Sequence, residues 1–467
     1  MPSAVEQLLH DAAYVDAFLA QIGHFRSQQQ SSQIYVDPTT EFFHYVKQLE
    51  EASRAFVVAL DAGRVDATHV GLARATLQDI KNYWRLLHAF IKPAADAHVL
   101  QVPAPLIEFA TSQIRRIPGF ANANVVLLLT PELMYFQDPH TDLKLTAAEL
   151  AHVIPQAGFS VQLGFIELPF SQGSNLFTNL VLYHELGHFV FEELCSAPQP
   201  GCDPGQIEGE IRMALNAHWS GYAALSADEK AFFVGILRSW SQEIFCDLFA
   251  LHLIGPAFTF AFIEVFSLLG LQDTALQTQF TESHPSDALR FAEHLAMLTD
   301  TGWWDHIQTL DSWHRVILEE CAGKSGSSSL HIDGQPYPDP GLVDAFKDVL
   351  PTLRDMVRHI SAETTTSAEN FARLRPEVES ALLWGVVPPV HPSGQPGAGI
   401  DPDPVSIINA AFCFYLTRLP ELLRNLNLSA ERTPEVQARS FWAARLQTWT
   451  LKAVEDHQIM SKRESRV

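Results

Sequence analysis

Two histidines one helical turn apart, His184 and His188, sit inside a stretch that is otherwise almost wholly apolar, from Leu180 to Phe191. On an α-helix, residues four apart lie roughly 40° from each other around the axis. The two imidazoles therefore aim at one point, and Glu185 lies beside that face. This is the His-Glu-x-x-His pattern of a metal helix: two ligands, and a carboxylate placed to take a proton from water. The apolar surroundings suit a helix buried enough to hold a metal in a low-dielectric cleft. Gly187 points the same way. Glycine in mid-helix costs about 1 kcal/mol relative to alanine, a cost that makes sense where another backbone must pass close by.

Two histidines leave a zinc site incomplete, because a catalytic zinc takes three protein ligands and keeps one position open. Glu243 and Asp247 are four apart, on one face of a segment that is otherwise apolar. A buried pair of carboxylates without partners is expensive. Ligation by Glu243 would remove part of that cost. A hydrogen bond to Asp247 from the free nitrogen of a ligand histidine would remove the rest. The competing reading pairs both acids with Arg238 or uses them to cap neighbouring helices. Downstream, Ser283-His284-Pro285 reads as a helix entrance, with Arg290 in its first turns. His284 alone reads as an ordinary helix-entry residue; within the site it would stabilise an oxyanion. Arg290 would pair with Asp247, with another acid, or with substrate.

These three segments together resemble the gluzincin metallopeptidases, most of all the family of CAAX prenyl endopeptidases and bacterial membrane quality-control proteases. The matching residues are His184, Glu185 and His188, then Glu243 with Asp247, then His284-Pro285 with Arg290. The resemblance covers about 159–298. It implies zinc held by His184, His188 and Glu243, with Glu185 as general base and Asp247 behind the ligands. His284 and Arg290 would serve substrate or transition state. Cys246 stands where that family usually has alanine, and the chain lacks the family's convincing transmembrane helices. In similar proteases the strand upstream of the metal helix pairs with an extended peptide substrate. The expected activity is zinc-dependent peptide hydrolysis. The alternatives are hydrolysis of a small non-peptide amide, and a non-catalytic scaffold with a vestigial metal site.

The rest of the chain frames this centre. Apolar residues at three- and four-residue intervals predict helices over Val5–Ser27, Phe42–Ala62 and Ala67–Ile91. Val125–Leu129 is a short apolar run, as in a buried strand. Phe159–Phe170 alternates in part and ends at Pro169, which suits an edge strand. Gly323–Gly341 and Pro388–Pro404 are Gly/Pro-rich breaks. The second holds His391-Pro392 and reads as a surface connection rather than a lid. Trp303-Trp304 reads as core. The expectation is an α+β protein, predominantly α-helical, with a small sheet beside the metal helix. Its parts are a helical region 1–118, a zincin-like domain 119–322 and a helical region 323–467.

Composition excludes several classes. With 31 basic against 54 acidic residues, a net −23, the chain does not suit nucleic acid or an anionic membrane surface. Five cysteines, an odd number, argue against a disulfide framework and for a reducing cytoplasm. Met1–Phe18 carries acids where a signal peptide would be basic. Leu253–Gly270 is apolar but interrupted by Gly255, Pro256 and Glu264, so no membrane span is expected. The expected partner is a peptide or protein substrate, with the helical flanks available to a further protein.

Overall fold

The computed structural model describes residues 8, 12, 13, 15, 16, 19, 38–61, 70–99, 104–130, 136–138, 162–169, 175–268, 278–326, 329–361, 367–388, 403–425 and 435–464. The fold is α+β and predominantly helical, as the periodicities imply. The chain divides into two compact units: Met1–Thr111 with Phe120–Ser174, and Ser112–Gly119 with Asn175–Val467.

The first unit packs α1 (Pro38–Asp61) and α2 (Val70–Val99) on a three-stranded sheet. Most of Val5–Ser27 lies outside the described residues. Within it, Leu8, Ala12, Val15 and Leu19 are helical and buried, at the three- and four-residue spacing of one helix face. α3 (Ala104–Ile114) precedes the sheet in sequence. The strands are β1 (Ala123–Thr130), β2 (Phe136–Asp138) and β3 (Gln162–Pro169), in the order β1-β3-β2. β1 is the buried strand expected at Val125–Leu129. β3 is not an edge strand. β1 pairs with it in parallel along its length, and β2 covers Phe165–Glu167 from the other side. Pro169 misled because it is the last residue of β3, where a missing N–H costs the ladder little. The stretch Phe165–Glu167 therefore has no open edge to offer a peptide.

In the second unit a 3₁₀ turn, Thr178–Val181, runs into α4 (Leu182–Ser196), which carries the two histidines. Asn175 starts this turn, its side-chain oxygen accepting the N–H groups of Phe177 and Thr178. α5 (Pro204–His218) follows, then the 28-residue α6 (Ala227–Ile254). A reciprocal cap of Ser226 with Glu229 starts α6. Gly255, at φ 72°, ends it, and α7 (Pro256–Leu268) departs in a new direction. The apolar stretch at Leu253 is thus split between two helices. Among the described residues no helix is long and apolar enough to cross a membrane.

β4 (Gln279–Phe280) leads to α8 (Asp287–Asp300), then α9 (Trp304–Ile307) and α10 (Trp313–Ala322). Trp303 is buried, as expected of core. The Gly-rich break at 323–341 holds a hairpin inside this unit: β5 (Ser329–Ile332) and β6 (Gln335–Tyr337), turned by Asp333 and Gly334 at φ 50° and 70°. β5 pairs in parallel with β4, and this second sheet meets α6 through Trp240 and Phe280, whose rings are 4.8 Å apart. α11 (Leu342–Ile360), α12 (Ala368–Leu383), α13 (Pro404–Asn425) and α14 (Glu435–Glu464) complete the unit. Most of the Pro388–Pro404 break, with His391-Pro392, lies outside the described residues.

Candidate metal centre

α4 and α6 pack side by side, and Gly187 sets how closely. A β-carbon built on Gly187 would stand 2.6 Å from Cys246 Cα and 2.9 Å from its Cβ. The passing backbone expected from this glycine is therefore α6 at Cys246, between Glu243 and Asp247. Substitution Gly187→Ala gains helix propensity, about 1 kcal/mol. It also forces two backbones apart, and such overpacking costs about 1–3 kcal/mol. The expected net result is a lower midpoint in urea denaturation together with weaker metal binding, because His188 moves relative to Glu243.

The geometry brings the sequence candidates together. His184 Nε2 and His188 Nε2 are 3.1 Å apart. Glu243 presents one oxygen to each ring, Oε2 at 3.4 Å from His184 and Oε1 at 3.4 Å from His188. One atom from each of the three converges within 4.8 Å, so the group could hold a metal ion. Behind it, His184 Nδ1 is 2.8 Å from Asp247 Oδ1. That contact orients the His184 ring with its Nε2 turned toward the cluster. Asp247 is held in turn by Arg290, whose Nε and Nη2 donate to its two oxygens at 2.6 and 2.8 Å. Arg290 Nη2 also lies 3.5 Å from Glu243, and its guanidinium rests 4.6 Å over the Phe262 ring. Arg238, the alternative partner for the two acids, lies instead near Cys195, 3.7 Å from its sulfur.

Exposure falls on one side of the cluster. Asp247 and Arg290 are buried, the His188 side chain is 17% exposed and that of His284 is 56% exposed. His284 Nε2 stands 3.8 Å from Glu243 Oε1. Its segment is pinned from below: Trp240 Nε1 donates to the Thr281 carbonyl at 2.7 Å, and Thr281 Oγ1 accepts the His284 N–H at 3.1 Å. Ser286 caps α8, which begins just after the expected entrance at His284-Pro285. His284 is thus more than a helix-entry residue, since its ring faces the carboxylate of the cluster. Glu185 is buried on α4 next to His184, and its charge acts on Cys246.

The electrostatics follow from burial and pairing. Burial alone would lower the His184 pKa, but hydrogen bonds to Asp247 and Glu243 and their charges raise it to about 10. Burial and the neighbouring His184 charge push His188 down to about 4. For Glu243, burial raises the pKa, and His184 and Arg290 outweigh it to bring it down to about 2. Burial and the surrounding acids hold the Cys246 thiol far above its ordinary range, so it stays protonated and outside the ligand set.

Sequence reasoning missed His294. It is fully buried, with Nε2 3.4 Å from Asp247 Oδ2 and Nδ1 3.3 Å from Thr259 Oγ1. Its signal was present: it follows Arg290 by four residues, on the same face of α8. Cys195 and Cys202 are both free, in line with the odd cysteine count. No family model, no curated protein and no solved structure matches the chain.

Proposed function

We propose that the chain is a zinc-dependent endopeptidase of gluzincin type, with His184, His188 and Glu243 as ligands and Glu185 as general base. The observation that carries this reading is the convergence of two imidazole nitrogens and one carboxylate with Asp247 behind His184. A tetrahedral zinc with bonds of about 2.0–2.1 Å needs neighbouring ligand atoms about 3.3 Å apart; here the two Nε2 atoms are 3.1 Å apart and each lies 3.4 Å from a different oxygen of Glu243, so a turn of that carboxylate would bring one oxygen to both. A bound zinc would supply a Lewis acid that activates water and polarises the scissile carbonyl.

The chain's own residues supply the rest. Glu185 accepts a proton from the attacking water and returns it to the leaving amine. Asp247, fixed by Arg290, orients His184 and keeps its Nε2 toward the cluster. His284, on the exposed side, donates to the oxyanion that forms as the carbonyl is attacked. Arg290 acts through Asp247 and Glu243, so it is a positioning residue. A cytoplasmic setting accords with five free cysteines. Cleavage of a random peptide library by the zinc-loaded protein tests the reading. Hydrolysis confined to small non-peptide amides would replace it with the amide-hydrolase chemistry.

The pKa pattern adds a pH dependence. In the metal-free protein the His184 ring holds a second proton between Asp247 and Glu243 up to about pH 10, whereas His188 and Glu243 are already in their ligand forms at neutrality. Metal must displace that one proton. Calorimetry in buffers of different ionisation enthalpy is expected to show release of about one proton between about pH 7 and 9, with affinity rising about tenfold per pH unit. Binding that releases no proton would contradict this. The sign for folding is the reverse. A pKa raised above its ordinary 6.5 stabilises the metal-free fold fully below that value, and the contribution is lost as pH rises through about 10.

A further inference from the structure

At the opposite end of α6 from the metal ligands, the second unit contains a cleft of about 390 Å³. Glu229, on its wall, is fourteen residues before Glu243, roughly 21 Å along the helix axis at 1.5 Å per residue. It is lined by the aromatic residues Trp219, Phe232, Phe233 and Tyr337, by two aliphatic residues, and by the acidic Asp228 and Glu229. Trp219, which ends α5, meets Phe233 edge-on at 4.7 Å, and Phe233 lies 6.3 Å from Tyr337 of the β5–β6 hairpin. Three separate elements thus hold the rings. Phe232 and Tyr337 remain 47% and 38% exposed. With Trp219 and Phe233 they border one cleft, so their exposure is clustered rather than scattered.

The chemistry of the lining selects the class of ligand. Among the described residues that line the cleft, none is basic and two are acidic. Glu229 Oε2 accepts the N–H and hydroxyl of Ser226, which leaves the residue charged and fixed in place. The nearby Lys230 does not line the cleft; its ammonium donates to the Ala223 carbonyl and lies 5.8 Å over the Tyr222 ring. Aromatic faces attract cations through their quadrupoles, and a carboxylate at the rim adds charge without filling the apolar space. An anion would meet two like charges, whereas a cation is attracted by both.

We propose that this cleft binds an organic cation with a compact alkylated ammonium head, seated among Trp219, Phe232 and Tyr337 with Asp228 and Glu229 as its counter-charge. The site stands apart from the metal centre and does not depend on what that centre hydrolyses. The probe pair is choline and its neutral isostere 3,3-dimethylbutan-1-ol, which differ in charge and hardly in shape.

Ligand-observed NMR on the full chain is expected to show binding of choline, with the neutral isostere about tenfold weaker, the difference a desolvated cation–aromatic contact supplies. Phe232→Ala and Asp228→Asn are each expected to weaken choline several-fold, about five or more, while thermal melts and zinc content stay as in the wild type. Both side chains are exposed, so the fold is kept; Tyr337→Ala provides a third variant on a different element. Equal binding of choline and the isostere would overturn the proposal, as would choline binding that ignores all three substitutions. So would concentration-dependent self-association of the chain that Phe232→Ala abolishes, since the cleft would then be covered by a second copy.

Discussion

Glu185→Gln is expected to bind zinc as tightly as the wild type and to cleave peptides about a hundred- to ten-thousand-fold more slowly, the range a positioned general base contributes. The substitution keeps the size and the hydrogen-bonding capacity of the side chain but removes its ability to accept a proton. Glu185 is buried next to His184 on α4, and it lies outside the group formed by His184, His188 and Glu243. Metal affinity and turnover should therefore separate cleanly. The loss should fall on kcat more than on KM, because the missing interaction belongs to the transition state. The assay is cleavage of one library-selected peptide, with zinc content measured on the same samples. An undiminished rate in the zinc-loaded variant would remove the general base from the account. An equal loss of zinc and rate would show that the carboxylate serves the ligands instead.

The second large effect concerns the charges behind the ligands. Asp247 is fully buried and accepts from Arg290 twice, from His184 once, and faces His294. Asp247→Ala strands a buried guanidinium, leaving it Glu243 at 3.5 Å and the charge of Asp287. Breaking such a pair costs about 3–5 kcal/mol. Replacing both members with apolar residues of similar volume avoids the stranded charge. Asp247→Leu with Arg290→Met is therefore expected to recover most of that stability. It should not recover the metal site. His184 has lost the acceptor that orients it, and zinc affinity is expected to stay about 10- to 100-fold below the wild type. Urea denaturation in excess chelator measures the first quantity free of metal linkage, and competition against a zinc indicator measures the second. A double variant that binds zinc normally would deny Asp247 its orienting role. One that remains as unstable as Asp247→Ala would deny the ion pair its part in folding.

What could be read in the sequence, and what could not, divides along physical lines. His184 with His188, and Glu243 with Asp247, are legible because each pair sits four residues apart on a long regular helix, where spacing alone dictates the face. Gly187 was legible for a related reason: a glycine that costs helix stability must answer to a neighbour, and that neighbour is Cys246. The partner of Asp247 was legible only as a choice, since the sequence offered it both Arg290 and Arg238. Arg238 is closer in sequence, but it faces Cys195, and only the packing of α8 against α6 selects Arg290. His294 lies one turn beyond Arg290, outside the three segments that carry the motif.

The strands were the weakest part. Pro169 suggested an edge, but a proline at a strand terminus says nothing of how many neighbours the strand has. Strand order depends on chain segments distant in sequence, which periodicity does not see. The β5–β6 hairpin left a usable trace: Asp333-Gly334 is a two-residue turn signal between short strands. It was read as a break because the stretch around it is rich in Gly, Ser and Pro.

His184, His188 and Glu243 are proposed to hold one zinc between them. The most direct test of that ligand set is the zinc content of the purified chain after equilibration with equimolar zinc and removal of the free ion, beside His188→Ala and Glu243→Ala. About one zinc per wild-type chain is expected, and little in either folded variant, because three protein ligands are what such a site requires. A wild type that retains no zinc, or a His188→Ala protein that retains a full equivalent, would contradict it.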